Sequence, residues 1–195
     1  IILTGLHPSA LPRRTLKEEN CDFVCQGEGF YTLQGLLENS KPNNIPGLWW
    51  KENGNIRNTP REKNMQNLSK ELDSVAWDLL PMDIYFENSQ TLYSEDSFKS
   101  SKRIDINGSL GCSLICRYCW HLGTTGDMIV GKNEVGENDV QFTYGRNIRY
   151  HSPRYIVDMV KVLVDKYSVD FVSFIDENML TMHVSSNKKW LYELS

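Results

Sequence analysis

Two periodicities share this chain. Near its start, short apolar runs, Ile1-Ile2-Leu3 and Phe23-Val24-Cys25, are each followed by a turn-forming stretch, Gly5 to Ser9 and then Gly27-Glu28-Gly29. After the second turn a helical period takes over through Phe30, Leu33, Leu36 and Leu37. Strand, glycine turn and helix in that order predict a parallel α/β sheet, with its ligand crevice at the carboxyl ends of the strands. Residues 1–4 are expected to be a short buried strand, and Gly5 to Ser9 a turn into a helix capped by Ser9. Both glycine-bearing loops are expected to face a ligand, although a tight turn needs glycine with or without one.

From 41 to 102 the pattern breaks into polar residues with isolated aromatics, which reads as a linker with local structure. Within it Asn53-Gly54 lies between apolar runs and predicts a hairpin over 47–58. Trp49, Trp50 and Trp77 are expected to pack rather than to contact substrate. Arg103 to Gly108 alternates and ends in glycine, as a strand entering a loop should. Ser152 with Pro153 signals a helix start ahead of Ile156, Val157, Met159, Val160, Leu163 and Val164. That helix closes over Lys166 to Asp170, and Phe171 to Ile175 reads as a buried strand ending in Asp176-Glu177-Asn178. Strand, loop, helix and strand make one right-handed βαβ unit. The stretch 120–150 is polar, bears glycine and lacks a helix period, so it reads as a long loop, a length that is uncommon without a function unless the segment is disordered.

Composition narrows the function classes. The 195 residues are 40% hydrophobic, enough for one large domain or two small ones, and the net charge of -4 gives no basic field for nucleic acid or an anionic membrane. No apolar run approaches the ~20 residues that span a bilayer, and the apolar start lacks the charged region of a signal peptide. A cytoplasmic, reducing location is expected. The chain opens in a strand without methionine and stops just after a helical pattern begins, and it reads as a segment of a longer protein.

Five cysteines change the picture most. Cys112, Cys116 and Cys119 form a CxxxCxxC triad with no fourth cysteine close by, while Cys21 and Cys25 read as small residues beside a strand. An iron-sulfur cluster held by three thiolates keeps one iron open for chemistry, whereas four protein ligands suit electron transfer. Structural zinc is the rival, with His121 two residues past Cys119, but zinc motifs usually add a second ligand pair downstream, and only His151 and His183 follow.

With Gly111 before the first cysteine and Tyr118 before the last, the triad resembles the signature of the radical S-adenosylmethionine (SAM) superfamily. The resemblance implies that Cys112, Cys116 and Cys119 bind a 4Fe-4S cluster whose fourth iron is chelated by SAM. Reductive cleavage of SAM then yields a 5'-deoxyadenosyl radical that abstracts hydrogen from substrate. Tyr118 would lie near the SAM adenine, or pack the loop. In related enzymes a polar group at the end of the second barrel strand, often in a GGE motif, contacts the SAM amino group. This chain has Asp176, Glu177 and Asn178 there; the open alternative for Asp176 and Asn178 is to cap the next helix.

Thr4 to Pro12 together with Cys21 to Gly29 resembles the last third of the cobalamin-binding domain that precedes many radical SAM domains. Carried over, Gly5, His7, Gly27, Glu28 and Gly29 are candidate cobalamin-side residues. His7 comes too late in such a domain to be the cobalt ligand, and His7-Pro8 alternatively shapes a turn. Leu72 to Pro81 and Ile84-Tyr85 resemble the family's connector, whose apolar residues dock the linker on the core. The expected organisation is then the end of a Rossmann-like cobalamin-binding domain (1–40), a linker with a hairpin (41–102), and the first βα units of a partial (β/α)6 radical SAM barrel (103–195). The implied reaction is methylation of an unactivated carbon, or a rearrangement or cyclisation, on a small-molecule substrate with a reductant such as flavodoxin or ferredoxin. A non-catalytic module that binds cobalamin or a cluster, and a structural zinc site, are the alternatives.

Overall fold

Three consecutive buried residues, Leu48, Trp49 and Trp50, organise the first sheet. In the computed structural model, which describes residues 1–61, 63–72, 74–88, 99–112, 114, 128–142 and 148–195, the chain opens with β1 (Ile2–Leu3), α1 (Leu6–Ala10), α2 (Pro12–Glu18), β2 (Phe23–Cys25) and α3 (Phe30–Leu37). A hairpin of β3 (Leu48–Glu52) and β4 (Asn55–Asn58) follows. β1 and β2 run parallel, as the strand-turn-helix order predicts, and β3 adds antiparallel to β2 with Val24 opposite Trp49. Because side chains alternate along a strand, Trp49 packs with Leu16, Cys21 and Val24, while Leu48 and Trp50 pack with Ile45 on the other face. The hairpin expected inside a linker thus extends the first sheet, in the order β1-β2-β3-β4.

Two short helices come next, α4 (Leu68–Glu71) and α5 (Met82–Asn88), and then β5 (Arg103–Ile106) and β6 (Ser109–Leu110). On α5 the inward residues are Met82 and Phe86, one turn apart, whereas Ile84 and Tyr85, expected to dock, are exposed. The stretch expected as a loop over 120–150 contains a second hairpin, β7 (Met128–Lys132) with β8 (Asn138–Phe142). Its Val130 and Val140 pack on the cluster around Trp49, and Arg13 donates to the Asn138 carbonyl at 2.9 Å and pairs with Glu137 at 3.1 Å.

The chain continues through β9 (Arg149–Tyr150), α6 (Pro153–Tyr167), β10 (Phe171–Phe174), α7 (Leu180–Ser185) and α8 (Trp190–Leu194). The Ser152 hydroxyl accepts from the Tyr155 N–H, and Ser168 in the left-handed region closes α6, so both ends of this helix form where the sequence signals them. β5 and β10 pair in parallel from Arg103 opposite Phe171 to Ile106 opposite Phe174. β10 is half-buried rather than buried, because β5 is its one strand partner among the described residues. β1 likewise is an edge strand, with Ile1 and Ile2 exposed rather than buried.

The chain divides into two compact units, Ile1–Asn64 with Leu114–Asn147 and Met65–Ser113 with Ile148–Ser195. The second unit has its own core of Met82, Phe86, Ile106, Ile156, Leu163, Val169, Met182 and Trp190. Among the described residues no helix is long and apolar enough to cross a membrane.

Candidate functional site

In the second unit, chemistry-bearing residues gather where β5 and β10 end. The Asp176 carboxylate accepts a hydrogen bond from the Gly108 N–H at 3.0 Å with one oxygen and one from the Ser109 hydroxyl with the other. The Gly108 carbonyl accepts from the His151 N–H at 2.8 Å. A Cβ on residue 108 would sit 3.1 Å from the Met182 sulfur, so glycine lets the strand end pass close over α7. Ser109 and Leu110 then pair antiparallel with Tyr150 and Arg149, and Gly111 turns the chain into Cys112, which is partly exposed. Cys116, Tyr118, Cys119 and His121 lie outside the described residues, and among the described ones no three metal-ligating side chains converge.

Of the three polar residues after β10, Asp176 turns back to Gly108 and Ser109 at the end of β5. Asn178 accepts from the N–H of Leu180, the first residue of α7, at 3.1 Å, while the N-cap position of that helix is Met179; Glu177 is exposed. At the opposite end of the strand pair, Asp170 accepts from the Ser100 hydroxyl, from the hydroxyl and N–H of Ser101, and from the Lys102 N–H. These bonds, that of Ser100 first, hold its carboxyl far below the usual carboxylate range.

His151 is the residue here that sequence reasoning weighed only as a distant zinc candidate. It is buried, stacks on Tyr155 with ring centroids 4.0 Å apart, and its carbonyl accepts from the Trp190 indole at 2.7 Å. Burial pushes its pKa down to about 4, against a smaller upward pull from the Asp176 charge. An unfolded histidine titrates near ~6.5, so between those values the unfolded chain binds the extra proton. The stability that neutral His151 contributes is therefore complete above about pH 6.5 and is lost as pH falls towards 4, by at most about 3 kcal/mol. His151→Gln is expected to flatten this limb in urea unfolding followed from pH 7 to 4.5; an unchanged slope would assign the acid sensitivity elsewhere.

In the first unit the two predicted loops meet. The Gly27 N–H donates to the Ser9 hydroxyl at 3.0 Å, and that hydroxyl donates back to the Gly27 carbonyl at 3.3 Å. Ser9 therefore joins the loops instead of capping a helix. His7 and Pro8 lie inside α1 rather than in a turn, because Gly5, at φ 99°, already starts the helix, and His7 is exposed. Gly29 begins α3 in the left-handed region, φ 79°, and a Cβ there would sit 3.3 Å from that of Cys25. Gln26, just before this loop, accepts from the Trp49 indole at 2.9 Å, which fixes its amide orientation because an indole N–H only donates. Its Nε2 is buried with no hydrogen-bond partner among the described residues.

No family model matches the chain. An uncharacterized methyltransferase of Pyrococcus horikoshii is 26% identical over 200 residues, an alignment that takes in all of this chain and 36% of the relative. The cytidylyl-2-hydroxyethylphosphonate methyltransferase of Streptomyces wedmorensis is 24% identical over 199 residues, covering 90% of this chain and 33% of the relative. Two solved structures superpose on nearly the whole chain. They are the radical SAM methyltransferase TsrM of Kitasatospora setae, with TM-score 0.54 and 13% identity over 98% of this chain and 32% of that one, and the cobalamin-dependent radical SAM enzyme OxsB, with TM-score 0.57 and 15% identity over 100% and 23%. The chain shares the fold of part of these two structures.

It spans about a third of the length of the curated relatives it matches. TsrM has been solved with cobalamin and a [4Fe-4S] cluster bound, and OxsB with aqua-cobalamin and SAM. In this chain the residues expected to serve such groups separate by unit. Gly5, His7, Gly27, Glu28 and Gly29 all belong to the first, whereas Cys112 and Asp176 to Asn178 belong to the second. For a corrinoid, the fit rests on the joined glycine loops at the carboxyl ends of β1 and β2. For a cluster, it rests on Cys112 as a partly exposed thiol delivered from a strand end held on three sides.

Proposed function

We propose that the chain is part of a cobalamin-dependent radical SAM methyltransferase, with Cys112, Cys116 and Cys119 as ligands of a 4Fe-4S cluster. The observation that carries this is the place of Cys112, first of the triad, just past the carboxyl end of β5, whose Gly108 and Ser109 are bonded to Asp176 after β10. α/β folds place ligands at that end of parallel strands. On this reading residues 1–40 close a Rossmann-like cobalamin domain and 103–195 begin a partial (β/α)6 barrel. Gly5, Gly27 and Gly29 let backbone approach the corrinoid, flanked by His7 and Glu28, and Tyr118 lies at the adenine. A carboxylate at the end of β10 can accept hydrogen bonds from the SAM ammonium, and Asp176 and the exposed Glu177 are the acidic side chains there, with Asn178 beside them. When bound, the two cofactors supply a substrate radical and a transferable methyl group. Methylation is favoured over rearrangement or cyclisation because both curated relatives are methyltransferases. The substrate is a small molecule, and the reductant is a flavodoxin- or ferredoxin-type protein in a reducing cytoplasm.

The test uses the full-length protein, reconstituted anaerobically with iron and sulfide, reduced, and supplied with SAM. It is expected to form 5'-deoxyadenosine and methionine in equal amounts. Reproducible absence of 5'-deoxyadenosine from cluster-loaded protein would favour the non-catalytic binding module, and stoichiometric zinc without visible absorbance would establish the structural zinc site instead.

A further inference from the structure

We infer that Asp176 is a positioning residue for the cysteine loop: through the Gly108 N–H and the Ser109 hydroxyl it fixes the end of β5 and so sets where Cys112 is presented. The inference rests on the cluster reading of Cys112 proposed above.

Both carboxylate oxygens are engaged, one by each neighbour. Ser109 is 1% exposed, so water offers its hydroxyl no ready substitute for Asp176. The peptide unit is held from a third side by the His151 N–H on the Gly108 carbonyl, and the Met182 side chain of α7 lies where a Cβ on residue 108 would project. Between this anchored pair and Cys112 lie only Leu110, itself paired with Arg149, and Gly111. Three covalent steps of which one is in a ladder leave the first cysteine little freedom, so an error at Ser109 passes directly to its sulfur.

The other end of the same strand is gripped in the same way. Asp170, just before β10, collects the hydroxyls and N–H groups of Ser100 to Lys102, just before β5. Asp176, just after β10, collects those of Gly108 and Ser109, just after β5. Two aspartates bracketing one strand thus lock the register of its neighbour, and a slip of one residue would turn every β5 side chain to the opposite face. Asp170 has no cysteine near it among the described residues, so it serves as an internal comparison: the same kind of grip at the other end of β5.

The geometry separates this role from direct SAM binding. A carboxamide at 176 keeps both bonds, its oxygen accepting from the Gly108 N–H and its NH2 donating to a lone pair of the Ser109 hydroxyl. It loses the negative charge that an ammonium would need. In full-length protein reconstituted anaerobically, Asp176→Ala and Ser109→Ala are expected to lose iron to a chelator about 10- to 100-fold faster, the range for groups that orient a metal ligand. They should also shift the electron paramagnetic resonance signal of the reduced cluster. Asp176→Asn should retain the wild-type signal and iron, and the double alanine variant should be no worse than Asp176→Ala, since that single change already breaks the bond to Ser109. Asp170→Ala should lower the thermal midpoint without altering the signal.

Asp176→Ala protein with wild-type iron retention and signal would overturn the inference while leaving the proposed function intact. So would an Asp176→Asn variant as defective as Asp176→Ala, which would make the charge, and hence SAM contact, the role. Wild-type protein that takes up no iron would instead overturn the cluster reading, and the inference with it.

Discussion

Replacing Cys112 and Cys116 together with alanine is expected to take anaerobically reconstituted full-length protein from about four iron atoms per chain to background, with loss of its visible absorbance. The two remaining cysteines outside the triad cannot substitute. Metal ligation needs a thiolate, and burial pushes the Cys25 thiol up to about 11, while Cys21 is also raised, again chiefly by burial. Near neutral pH both stay protonated inside the first unit, where Cys25 has no exposed surface at all. Cys21→Ala and Cys25→Ala are therefore expected to keep wild-type iron, although Cys25→Ala should soften the packing under Gly29. Cys112 is different in kind: it is partly exposed and follows the glycine turn out of β6. Unchanged iron in the double variant would remove the cluster from this triad. Iron lost equally from Cys25→Ala would show that folding of the first unit, and not ligation, governs the metal content.

What the sequence made readable was what depends on neighbours in the chain. Ser152 with Pro153 specifies the start of α6, because a cap and a proline at the first position act within one turn. Asn53-Gly54 specifies the first hairpin because its turn needs a positive φ at both residues, and both have one. The second hairpin escaped because its turn, over Asn133 to Glu137, lacks that dipeptide and its strands carry little apolar alternation. Its stability comes from Arg13 and the Trp49 cluster, which are remote in sequence. β3 joins the first sheet for a legible reason: a run buried on both faces, as Leu48 to Trp50 is, belongs inside a sheet. At the site, the sequence put Asp176 to Asn178 at the end of β10, beside the end of β5. Which of the three turns back to β5 depends on hydrogen bonds to Gly108 and Ser109, and no local pattern encodes those.

Trp49→Ala is expected to destabilise the first unit by about 3–5 kcal/mol, the usual cost of deleting a large core aromatic. Trp49 is fully buried in β3, where its indole fills the space between Leu16, Val24 and the second hairpin's Val130 and Val140. Truncation leaves a cavity that β3, held by β2 and β4, cannot close without shifting both ladders. It also strips the partner from Gln26 Oε1, in a side chain whose Nε2 already lacks one, so a wholly unsatisfied amide would remain beside the Gly27 loop. Trp49→Phe separates the two effects. It keeps most of the volume and loses only the indole N–H, so its cost should be about 1–3 kcal/mol, the penalty for one buried group left unpaired. Urea unfolding of the full-length protein, followed by a probe in the first unit, gives both values. The hairpin at 128–142 should become protease-sensitive in the alanine variant, because it loses the surface against which it packs. A loss below about 1 kcal/mol for alanine, outside the range of core truncations, would mean that β3 is not a central strand of this sheet.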